Sequence, residues 1–147
     1  MQSLKSFWIS KKISKFLGYT FVIFIITGIL FGSSIPGRTI PLHITLFTWD
    51  KFLHVCEYFI LGILASRAYS FKYNKIILSV LGIIFGCFDE IWQSFVPGRS
   101  SSIYDVIADG IGVICGIITF NFIKKKYELK NTFSKNFEDI IFKNLFL

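Results

Sequence analysis

Six of the nine acidic residues, Asp50, Glu57, Asp89, Glu90, Asp105 and Asp109, stand in or at the ends of long apolar runs. Asp50, His54 and Glu57 follow one another by steps of four and three, so on a helix they share one face. Asp105 and Asp109 share a face in the same way. On a third run Glu90 and Gln93 prolong the face of Gly82 and Gly86. Carboxylates beside a histidine are the parts of acid and base chemistry or of a proton relay. His-x-x-Glu with further Asp or Glu is also a donor set for a divalent cation. Near the centre of a bilayer each carboxylate costs about 2.5–3.5 kcal/mol, so such a set needs pairing, protonation or a water-filled cavity.

At 1.5 Å per residue, Asp50 to Glu57, Val96 back to Glu90 and Ile103 to Asp109 each measure roughly 9–10 Å. That places Glu57, Glu90 and Asp109 at one depth, beneath a layer of Asp50, Lys51, His54, Gln93, Arg99 and Asp105. The expected shape is a polar funnel above a tightly packed inner half. Each member also has a plainer role. His54 would equally satisfy Glu57 or Asp50 as a hydrogen-bonding link between helices, and Arg99 would neutralise Asp105 or Glu90. Ser100, Ser101 and Ser102 follow Pro97-Gly98 and suit a turn and a helix N-cap better than a nucleophile activated by His54.

The elements that position these groups follow from composition. Of 147 residues 53% are apolar and 17% charged, too little charge to clothe a soluble domain. Four runs reach the length of about 20 residues that a spanning helix needs: 16–35, 52–69, 76–96 and 103–123. Their Ile and Val do not alternate with polar residues, so strands are excluded. The first run follows Lys11, Lys12 and Lys15 and ends Gly32-Ser33-Ser34, as a secretory signal does, but its uncharged stretch exceeds the usual core of about 7–15 residues. The expected fold is an all-α bundle of four transmembrane helices over residues 1–123, with a basic amphipathic tail over 124–147. In that tail Phe133, Phe137, Ile140, Ile141 and Leu145 recur near helical spacing.

Thirteen of the sixteen Lys and Arg lie before the first run, between the second and third, or after the fourth. The positive-inside rule then puts both termini in the cytoplasm. The same distribution argues against nucleic-acid binding, because the basic residues flank apolar runs. Trp49 and Trp92 fall towards the outer interface, and Tyr69, Tyr73 and Tyr127 towards the inner one. The pairs Gly28/Gly32, Gly82/Gly86 and Gly112/Gly116 allow close helix packing. Cys56, Cys87 and Cys115 have neither CxxC spacing nor a disulfide framework and are read as packing residues.

The run from Asp50 to Gly62 resembles the D-K-x-x-H-x-x-x-Y-x-x-L-G signature of VanZ-like membrane proteins. Asp89-Glu90-Ile91-Trp92-Gln93-Ser94-Phe95-Val96-Pro97-Gly98-Arg99-Ser100 resembles their D-E-x-x-Q-x-x-x-P-G-R-x block, and Asp105-Val106 their next element. Four residues after the position of Asp105 that family usually has Asn, where this chain has Asp109. The resemblance implies an integral protein of the bacterial plasma membrane and cell envelope, in a family whose named member is associated with tolerance of the glycopeptide teicoplanin. It implies no established reaction.

These readings make His54, Glu57, Asp89, Glu90, Asp105 and Asp109 candidates for proton or metal chemistry. Asp50, Lys51, Tyr58, Gln93, Arg99 and Ser100 are the candidates for holding a substrate. No cofactor is called for apart from a divalent cation at the carboxylates. The expected partners are the lipid bilayer and a lipid-linked cell-wall precursor or glycopeptide. Binding an envelope substrate stands beside two rivals, a non-catalytic interaction protein and a proton-coupled transporter.

Overall fold

The computed structural model describes the backbone of residues 2–40, 47–69 and 72–146, and side chains at 16–40, 49–69, 72–130 and 132. Four α-helices follow in order: α1 (Gln2–Ser33), α2 (Phe47–Tyr69), α3 (Lys75–Ser94) and α4 (Ile103–Phe146), with a short 3-10 turn at Gly37–Thr39 after α1. No strand occurs among the described residues. The apolar runs are therefore helical, and the helices extend beyond them. Helix α1 begins well before Phe16, α2 begins at Phe47 rather than Phe52, and α4 continues through the basic tail without a break. The tail's apolar side chains, Phe133, Phe137, Ile140, Ile141 and Leu145, lie outside the described residues.

Among the described residues three helices are long and apolar enough to cross a membrane, over Phe16–Ser33, Lys75–Ser94 and Ile103–Lys130. Helix α2 has the length, about 35 Å for its 23 residues, and lacks only the apolarity. The reason is packing. It lies against all three other helices, so Lys51, His54 and Glu57 point at protein rather than outward. The described outer faces carry exposed Phe, Ile and Leu along all four helices, which in water would be a very large apolar patch. Inside, among the described residues, eight buried polar side chains stand against nine buried apolar ones, so lipid is the solvent that this arrangement suits. Hydroxyls on the outer faces return their hydrogen bonds to their own helix, as Thr20 Oγ1 does to the Phe16 carbonyl at 3.0 Å and Thr27 Oγ1 to Ile23 at 2.9 Å.

Contacts fix the helix directions. On α2 and α4, Lys51 meets Asp105, His54 meets Asp109, Val55 and Tyr58 meet Gly112, and Gly62 meets Gly116. The two helices therefore run parallel. Helix α3 runs against α4, with Gly86 on Asp109 and Gly82 on Val113. Gly18 of α1 packs on Ala68 of α2, and Ser33 at its other end meets Gln93 of α3. One end of the bundle thus collects the C-terminal ends of α1 and α3 and the N-terminal ends of α2 and α4. The indole side chains of Trp49 and Trp92 are at that end, and the rings of Tyr19, Tyr69 and Tyr73 meet at the other.

Glycine sets the closest contacts. A Cβ on Gly112 would stand 2.5 Å from the Val55 carbonyl oxygen, and one on Gly116 would run into that of Phe59. Gly62, which no small-residue pair flagged, faces them from α2. Gly28 and Gly32 differ from the sequence expectation: a Cβ at either meets nothing within 4 Å. Helix ends are capped locally. Asn74 Oδ1 accepts from Ile77 N at 2.9 Å at the start of α3, and Ser102 Oγ accepts from Tyr104 N at 3.2 Å at the start of α4.

Gly116→Val is expected to lower stability in detergent by about 1–3 kcal/mol or more, because the side chain would be forced into the α2 backbone. Gly28→Val, on an open face, should cost less than about 1 kcal/mol. Thermal unfolding of the two variants side by side checks the contrast, and equal losses would refute the α2–α4 contact.

Candidate functional site

The polar end of the bundle is held by three linked sets of hydrogen bonds. In the outermost, Lys51 Nζ donates to Asp50 Oδ2 at 3.1 Å and also to Asp105 Oδ1 of α4. One turn deeper, His54 Nδ1 is hydrogen-bonded to Asp109 Oδ1 at 2.9 Å, with both side chains buried. Both pairs repeat the same α2–α4 register, so steps of about four residues on each helix bring one pair below the other.

The third set joins α1, α3 and the loop after α3. Gln93 Nε2 donates to Ser33 Oγ at 3.2 Å and to Asp89 Oδ2 at 3.4 Å, while Gln93 Oε1 accepts from Arg99 Nη2 at 2.8 Å. Arg99 reaches it because the chain reverses at Gly98, whose φ of +79° lies in the left-handed region that glycine enters without strain. The loop is braced by Gly37 N donating to the Pro97 carbonyl at 3.1 Å. A Cβ on Gly37 would collide with the Gly98 carbonyl, so two glycines let the first and third connections touch.

These groups surround a cavity of about 320 Å³, at the small end for a ligand pocket and large enough for a headgroup. Asp50, Leu53, His54 and Glu57 line it from α2, Gln93 and Arg99 from α3 and its loop, and Gly32, Ser33, Ile35, Thr39 and Ile40 from α1 and the turn that follows. Of the sequence-derived candidates, Asp50, His54, Glu57, Gln93 and Arg99 are thus brought together around one space. Asp89 and Asp109 lie behind it, fully buried. Lys51 and Asp105 pair beside it.

Three candidates are elsewhere. Glu90 does not line the cavity; its Oε2 accepts from the Ser102 backbone N–H at 2.7 Å, which helps to hold the start of α4. Tyr58 is wholly buried against Gly112 and the Phe85 ring, and Ser100 is exposed in the loop. Nor does Arg99 neutralise Asp105 or Glu90. Lys51 holds the first, the α4 N-terminus holds the second, and among the described residues Arg99 forms no ion pair. Ser33 and Thr39 were missed, since α1 carries no charge beyond Lys15; the signal was the small polar run Gly32-Ser33-Ser34 closing its apolar stretch.

His54, Asp89 and Asp109 together, or Asp50, His54 and Asp105, bring a histidine nitrogen and two carboxylate oxygens within 4.8 Å of one another. The site therefore offers a cation on one wall of a cavity and metal-compatible donors on another side. A family model described as VanZ/LLP1 matches residues 3–124. No curated protein and no solved structure matches the chain.

Lys51→Met would leave Asp105 buried without its cation and is expected to destabilise the protein by about 3 kcal/mol. The double variant Lys51→Met/Asp105→Leu should regain most of that loss. Denaturation in detergent of the two singles and the double measures the coupling, and strictly additive losses would refute the pair.

Proposed function

Since the chain belongs to the VanZ/LLP1 family, we propose that it is a multi-pass protein of the bacterial plasma membrane whose cavity opens to the outer face and binds an anionic cell-envelope substrate. In this reading all four helices cross the bilayer, α2 with its polar face turned inward, and both termini are cytoplasmic. The thirteen basic residues at one end of the helix pattern support that orientation. The parallel course of α2 and α4 fits it, because an alternating four-helix path requires it.

The observation that carries the proposal is Arg99. Its guanidinium lines the cavity and is held by a neutral amide, and among the described residues it forms no ion pair with a carboxylate. Arginine recognises phosphate and carboxylate through paired N–H donors. A lipid-linked precursor supplies the phosphate, and a cell-wall peptide end supplies the carboxylate. Asp50, Glu57 and His54 on the facing wall suit sugar hydroxyls or amines. Holding such a substrate is how the protein would contribute to tolerance of teicoplanin-type glycopeptides.

A second reading, a non-catalytic interaction protein, draws support from Lys51–Asp105 and Glu90–Ser102, which tie helices together without facing the cavity. A proton-coupled transporter draws less. Beyond Tyr58 the described bundle closes on Leu61, Leu78, Val113 and Ile117, with no line of charged groups through it.

Arg99→Ala is expected to weaken binding of a lipid-linked phosphate precursor by about tenfold to a hundredfold and to abolish any protection against teicoplanin, with membrane level and thermal stability near wild type. Arg99→Lys, which keeps the charge and loses the fork, should fall between. Full protection and unchanged binding in Arg99→Ala would leave the interaction reading in its place.

A further inference from the structure

We propose that His54, Asp89 and Asp109 hold one divalent cation of the Zn²⁺ or Mn²⁺ class where α2, α3 and α4 meet. One nitrogen of His54 and one carboxylate oxygen from each aspartate lie within 4.8 Å of one another. All three side chains are buried, the aspartates completely. His54 Nδ1 and Asp109 Oδ1 are hydrogen-bonded at 2.9 Å, close to the roughly 3 Å between adjacent ligands on a six-coordinate ion with bonds near 2.1 Å, and tetrahedral Zn²⁺ would open the pair to roughly 3.4 Å.

The oxygens left over are a second observation. Among the described residues Asp109 Oδ2 and Asp89 Oδ1 are buried without a hydrogen-bond partner, an arrangement that costs free energy and that a bound ion would relieve. Asp109 Oδ2 is turned towards α3, where a Cβ on Gly86 would stand 2.9 Å from it. Asp89 follows Gly86 by one helical turn on the same side of α3. A side chain at Gly86 would therefore run into the Asp109 carboxylate.

Charge points the same way. Lys51 is engaged with Asp50 and Asp105, and Arg99, which acts on Asp89 only at a distance, forms no ion pair with either aspartate among the described residues. A proton on His54 balances one aspartate and leaves the other buried with an unused oxygen, whereas a dication balances both. One imidazole and two carboxylates, without a thiolate, suit Zn²⁺ or Mn²⁺ and not Cu⁺ or an iron–sulfur cluster. Of the three ligands only His54 also lines the cavity. The ion would stand behind the cavity wall, so the site does not depend on the anion-binding reading.

The protein, extracted in mild detergent without chelator, is assayed for metal by mass spectrometry as wild type, Asp89→Ala, Asp109→Ala and Arg99→Ala. About one Zn or Mn per chain is expected in wild type and in Arg99→Ala, and almost none in the two aspartate variants. Chelation should lower the thermal midpoint of wild type, and added Zn²⁺ or Mn²⁺ should restore it by mass action. The aspartate variants should ignore both treatments. Equal metal in the aspartate variants, or a wild type that holds no metal and does not respond to either ion, overturns the site. If the variants do not fold, chelation and readdition on wild type decide alone. Metal retained by an Arg99→Ala protein that still binds precursor would leave this site standing while the cavity reading fails.

Discussion

The contact between the backbones of α2 and α4 governs the rest of the molecule. Gly62, Gly112 and Gly116 remove the side chains that would hold these helices apart, and a single register then runs the length of their contact. Lys51 reaches Asp105 at a separation of 54 residues and His54 reaches Asp109 at 55. Slipping that register by one residue would rotate each partner by about 100° and separate both pairs at once. Packing and polar chemistry are therefore one constraint, imposed by small residues below and read out by charged ones above.

The same contact explains how a helix as polar as α2 is accommodated. Lipid offers no force to drive apolar helices together, so affinity must come from close van der Waals approach and from groups that would otherwise be unsatisfied. Helix α2 supplies both, its glycine to α4 and its polar stripe to α4 and the cavity. Helix α1 contributes differently. It adds Ser33 to Gln93 and lines the fourth side of the cavity through the turn at Gly37–Thr39, where Gly37 meets the loop after α3.

Much of this was legible in the residues themselves. Four helices, the shared faces of Asp50, His54 and Glu57 and of Asp105 and Asp109, and the closeness implied by Gly112/Gly116 all follow from spacing alone. What spacing could not decide is which of two adjacent carboxylates turns inward. Asp89 and Glu90 are both compatible with the face of Gly86 and Gln93, one by a step of three and the other by a step of four, and only the position of Asp109 against Gly86 selects Asp89. The partner of Arg99 was hidden for another reason, since it depends on a reversal at Gly98 that no periodicity encodes. Gly28/Gly32 shows the converse: a spacing that permits close packing does not create a neighbour to pack against.

The parallel pairing of α2 with α4 also orders events during synthesis. A ribosome adding about 5–20 residues per second needs roughly 3–11 s to make the 55 residues that separate His54 from Asp109. Throughout that interval the polar stripe of α2 exists and its counterpart does not. Helix α3, which follows immediately, runs the opposite way and engages α2 less than α4 does. The shelter that Lys51 and His54 have in the finished bundle is therefore the last to be built, and their first surroundings, whether α1, the insertion machinery or water at the membrane surface, are ones they must later leave.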